Sequence, residues 1–169
     1  MYRLNLADWL GESLAMLPDW FVTVFISMLP LVELRGALPV AILIYKMHPA
    51  TAFIISVIGN MIPIPFIMIL LHRGEVWLRR YKWWDRLIDK WFDRLRNRAS
   101  TTIERFEVIG LCLYVAIPLP VTGAWTGAFI AYLFDLDRRR AFLAITAGVL
   151  IAGLIVLFIS EAALWAMGG

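Results

Sequence analysis

Cysteine and charge are what this chain of 169 residues has least of. The single cysteine, Cys112, lies in an apolar stretch, which excludes an intramolecular disulfide and reads as a small buried hydrophobe. Only 17% of the residues are charged, where an average soluble domain has about a quarter. There is no phosphate-binding glycine loop, no paired histidine cluster and no Ser-His-Asp arrangement, and the methionines do not fall at metal-ligand spacing. These absences argue against an enzyme, against ATP-driven transport by this chain alone, and against any metal or other cofactor.

What fills the space is apolar. Hydrophobic residues make up 62% of the chain, and mean hydropathy is +0.77. A soluble globule of this size buries only about 70% of its unfolded surface, so this much apolar material would leave large sticky patches. A soluble enzyme, a disordered tail and a nucleic-acid module are excluded on that ground. The expectation is an all-α integral membrane protein forming one transmembrane domain over residues 1–169. Eight tryptophans suit the two membrane–water interfaces. Asp8, Pro18 and Asp19 interrupt the start of the chain, so a cleavable signal peptide is not expected.

A spanning helix needs about 20 apolar residues. Residues 50–71 and 141–167 meet this, the first after Pro49, which suits a helix start. Two further stretches are long but broken. Residues 20–45 contain Leu29-Pro30-Leu31-Val32-Glu33-Leu34-Arg35-Gly36-Ala37-Leu38-Pro39, and residues 106–134 contain Ile117-Pro118-Leu119-Pro120-Val121-Thr122-Gly123. Proline removes a backbone donor, and irregular backbone at membrane depth survives only inside protein or beside water. Each broken stretch therefore reads as a re-entrant helical hairpin, the rival being a kinked span or a pair of short spans. Residues 4–17 read as a short interfacial helix.

Between the halves, residues 72–105 hold ten Lys/Arg and five Asp/Glu. Trp77, Tyr81, Trp84, Ile88, Trp91 and Leu95 recur at spacings of four and three, one stripe of an amphipathic linker helix on the membrane surface. A stripe of this kind does not suit nucleic acid. The halves also resemble each other, repeat 1 over about 1–71 and repeat 2 over about 106–169. Gly36-Ala37 matches Gly123-Ala124 and Tyr45 matches Tyr132 at an offset of 87, while Ala52-Phe53 matches Ala141-Phe142 and Gly59 matches Gly148 at 89. The two-residue change is expected in the loop between broken segment and full span. The basic linker and Arg138-Arg139-Arg140 belong on the cytoplasmic side. Both termini then fall outside, and the halves form an inverted-topology repeat, each with an interfacial helix, a hairpin and a full span, as in many secondary transporters.

Two charges sit where a bilayer disfavours them. Glu33 and Arg35 flank the first Pro-Gly break, and intramembrane charges carry function by default. Arginine forks onto phosphate or carboxylate, and Glu33 could neutralise it until an anion arrives, then take a proton. A structural ion pair is the plain alternative. Gly36, Pro39 and Gly123 shape the breaks, and Thr122, Trp125 and Thr126 offer side-chain donors, or else small residues there serve helix packing. Glu161 is a candidate second member of a proton relay. Asn60 is expected to make a helix–helix hydrogen bond.

The strings Pro30-Leu-Val-Glu-Leu-Arg-Gly-Ala-Leu-Pro39 and Pro118-Leu-Pro-Val-Thr-Gly-Ala-Trp-Thr-Gly127 resemble the two signature segments of the prokaryotic small multidrug export family, over residues 20–164. Val121 stands where that family commonly has glycine. The family is similar to the DedA superfamily, which implies two opposed hairpins, a cytoplasmic (inner) membrane location, and movement of carrier-lipid phosphates coupled to protons. Glu33 and Arg35 match the acidic and arginine positions of the first hairpin. The second-hairpin arginine usual in DedA proteins is missing between Arg105 and Arg138. Three readings follow: a transporter of an amphiphilic anion such as a polyprenyl phosphate, a proton-coupled exporter of lipophilic drugs, or a lipid-binding scaffold that depends on the Trp77–Leu95 stripe. Membrane lipid and a second copy of the chain, as a homodimer, are the expected partners.

Overall fold

The computed structural model describes residues 17–78, 101–119 and 122–166, and all regular structure in them is helical. The N-terminal interfacial helix and most of the amphipathic stripe lie outside the described residues, as do Pro120 and Val121.

Both broken stretches divide, the first at Pro30 and the second between Ile117 and Gly123, whereas Gly36 lies within a helix. In the first, α1 (Asp19–Met28) and α2 (Glu33–Pro39) are joined by residues 29–32. α2 runs on as a π-helical stretch, Val40–Ile44. Pro39 has no N–H to give the carbonyl four residues back, and the widened turn begins directly after it. In the second, α5 (Thr101–Ala116) and α6 (Ala124–Leu133) are joined by residues 117–123.

Among the described residues two helices are long and apolar enough to cross a bilayer, Pro49–Gly74 and Arg138–Ala166. The first is α3 (Pro49–Met61) followed by α4 (Pro63–Leu78), with a break at Ile62 before Pro63. Pro49 opens it at the expected helix start. The second, α7 (Arg138–Ala166), is an unbroken 29 residues, and the Asp137 carboxylate caps it by accepting the Arg140 N–H at 3.0 Å. Bulky apolar side chains such as Phe66, Leu70, Leu143 and Phe158 point outward, which suits lipid.

The packing repeats itself. α1 lies along α3, and α5 along α7. Crosswise, α2 packs on α7 and α6 packs on α4. Gly59 and Gly148 make the first two contacts possible. A Cβ on Gly59 would sit 2.8 Å from the Val24 carbonyl of α1, and one on Gly148 would sit 2.7 Å from the Cys112 carbonyl of α5. With no lipid-expelling force between helices, such close backbone approach is what holds spans together. Leu34, Leu38 and Ile42 fill the core from one half, and Val115, Ile145 and Val149 from the other.

The loop positions correct one expectation. Lys46 and Asp135 both take left-handed backbone, at φ 52° each, and each closes the preceding helix. Three residues later Pro49 and Arg138 begin the next. The offset is thus 89 already at Lys46, so the connecting loops are equal and the length change lies upstream, within the broken segments. Counted from these caps, Tyr45 corresponds to Phe134 and not to Tyr132. Gly36 lies inside α2, whereas Gly123 precedes α6.

Candidate functional site

The turns of the two broken segments meet, and Glu33 and Arg35 join them. Glu33 opens α2 in left-handed backbone, φ 51°, which is uncommon for a non-glycine residue and marks a constrained position. This conformation carries its side chain into the interior, where the residue is 4% exposed. The carboxylate lies at the N-terminus of α6, 91 residues away in sequence. Oε2 accepts the Ala124 N–H at 3.3 Å, and Oε1 accepts the Trp125 N–H at 3.2 Å. Two of the donors left over at a helix start are satisfied this way, by a charge that suits the positive end of the helix dipole.

Arg35 does the converse at the end of α5. Its Nη2 donates to the carbonyls of Val115 at 3.0 Å, Ile117 at 3.2 Å and Thr122 at 3.2 Å. Its Nη1 donates to Glu33 Oε2 at 3.3 Å, closing the ion pair. A cation thus meets the negative end of one helix, and an anion the positive end of the next. Gly123 is the residue that permits it, because a Cβ there would overlap the Glu33 carboxylate.

A cavity of about 700 Å³ opens beside this junction. Glu33, Arg35, Gly36, Gly123, Trp125 and Thr126 line it together with the apolar Pro30, Leu31, Val32, Pro118, Leu119 and Phe129. The lining is therefore an apolar wall with a charged, donor-bearing end. Two buried donors on lining residues find no partner, Arg35 Nε and Trp125 Nε1.

The remaining expected site residues are distributed unevenly. Gly36 lines the cavity, but its N–H donates to the Val32 carbonyl at 3.1 Å and is not a free amide. Thr122 bonds locally through its hydroxyl, to the Ile117 and Leu119 carbonyls, and shapes the turn. The Thr126 hydroxyl donates to the Gly123 carbonyl at 3.0 Å. Pro39 sits within α2 and is not among the lining residues, nor is Glu161, whose Oε1 is buried on α7 without a partner. Asn60 is buried, yet its side chain makes no hydrogen bond, so the expected helix–helix bond is absent. Among the described residues no group of three His, Cys, Asp or Glu side chains is placed to hold a metal.

Sequence reasoning missed the carbonyls of Val115 and Ile117, which carry no residue-type signal. It also missed Phe129, one helical turn beyond Trp125 and therefore on the same face.

Residues 33–155 match a family model described as "Putative small multi-drug export protein". No curated protein and no solved structure matches the chain.

Proposed function

The chain belongs to this small multi-drug export family, a family of membrane transport, and from that premise we propose that it is a secondary transporter of an amphiphilic anion. One observation carries the reading. Arg35 and the first amides of α6 converge on a carboxylate at the end of a largely apolar cavity. Glu33 occupies the place an acidic head group would take, and the unpartnered donors of Arg35 and Trp125 add to the attraction for an anion. The apolar wall then takes the hydrocarbon part. A polyprenyl phosphate is one substrate with this chemistry.

Glu33 acts in this reading as a placeholder. It holds the donors in the empty protein and gives them up on taking a proton, which couples substrate movement to a proton gradient. The matched helix pairings, the paired glycine seats and the equal four-residue loops support an inverted repeat whose broken segments are re-entrant hairpins. A multi-pass location in a prokaryotic inner membrane, with both termini outside, and a homodimer that shields the short hairpins from lipid complete the proposal. No covalent chemistry is part of it.

Proteoliposomes loaded with a labelled polyprenyl phosphate test the reading. Wild-type flux driven by a pH gradient is expected, with at least a tenfold fall in Arg35→Lys, since an ammonium cannot fork across the same acceptors. Absence of wild-type flux, or full flux in Arg35→Ala, refutes it. The family description and the apolar walls favour a second reading, export of lipophilic drugs with Glu33 as the counter-charge. Raised drug susceptibility on deletion, without anion flux, selects that one.

A further inference from the structure

The first span contains a polar spot that the transport site does not use. Ser56 and Asn60 lie one helical turn apart on α3, on the same face. Both are fully buried, Ser56 at 0% exposed and Asn60 at 1%. Ser56 Oγ and both polar atoms of the Asn60 amide have no hydrogen-bond partner. The nearby Ser27 hydroxyl, across Gly59 on α1, is committed to the Thr23 carbonyl at 2.8 Å.

The backbone adds to the deficit. Pro63 and Pro65 have no N–H, so the carbonyls of Gly59 and Met61 lack their usual helical donor. Two unpartnered polar side chains and two carbonyls without their usual helical donor therefore fall within residues 56–61, just before the break in a span that crosses hydrocarbon. Leaving such groups empty is costly, and spans with prolines commonly satisfy them with ordered water.

We infer that Ser56, Asn60 and the carbonyls freed by the two prolines bind internal water, and that this water makes the Ile62 break a solvated hinge of the first span. The chemistry selects water over a cation. The Asn60 amide nitrogen is a donor that a cation leaves unsatisfied, whereas water serves donors and acceptors alike. No carboxylate is among the groups just named to offset a buried positive charge.

The sign of a stability change tests this. If the groups are dry, removing one removes a penalty, so Ser56→Ala raises the apparent Tm of the purified protein. If they hold water, the same change loses a hydrogen bond to it, and the apparent Tm falls by a few degrees. Asn60→Leu, of similar volume, should also lower it, with the double variant less than additive because both serve the same water. Infrared spectra after deuterium exchange should show a band of weakly bonded internal water in the wild type, lost in both variants. A raised Tm in Ser56→Ala, or no such band in the wild type, overturns the inference. Neither readout depends on transport or on which substrate is carried.

Discussion

Glu33 is confined by its surroundings on three sides. Its backbone is left-handed, its carboxylate accepts two amides of another segment, and Arg35 closes the pair. Gly123→Ala places a methyl group in the volume of that carboxylate. The expected result is a loss of about 1–3 kcal/mol of stability by overpacking, read as a lowered Tm, together with loss of flux. Unchanged stability would show that the carboxylate does not need this position. Arg35→Ala is expected to cost more, about 3–5 kcal/mol, because it leaves a buried carboxylate without its counter-charge and removes one donor from each of three carbonyls. The pair was conspicuous in sequence because charge is disfavoured at membrane depth. Its partners were not, because most of them are backbone groups 80 to 92 residues away.

At the level of helices, glycine decides how closely the first helix of each broken segment approaches the span that follows. Gly59→Val and Gly148→Val each push a side chain against a carbonyl of the facing helix, Val24 or Cys112. Both are expected to destabilise by at least about 2 kcal/mol, measured as the shift in unfolding midpoint in detergent. Comparable losses at the two sites would reflect the repeated packing, and a neutral result at one would break the correspondence. The offset of 89 between these glycines was visible in sequence. The place of the two-residue change was not, because helix ends are marked by backbone conformation at Lys46 and Asp135 and not by a residue type that favours it.

For the whole molecule, the proposed inverted arrangement makes a statement about sides. His48 and Asp137 immediately precede the two spans and are both exposed. In a Cys112→Ser background, His48→Cys should react with an impermeant maleimide from outside the cell. Asp137→Cys should react only after permeabilisation. Labelling of both from one side would overturn the inverted topology and, with it, the opposed hairpins on which the transport proposal rests.

Composition and patterning alone determined the membrane class, the two spans and the positions of the breaks. These follow from local quantities, namely apolar run length and the missing donor of proline. They also determined that Glu33 and Arg35 needed an explanation. Only the tertiary structure decided what satisfies them, because capping a helix end from another segment depends on where the chain ends of α5 and α6 come to rest. It likewise decided that Asn60 has no side-chain or backbone partner within the protein where the sequence promised one. A polar side chain announces a demand for a hydrogen bond, and packing alone settles whether a partner arrives within reach.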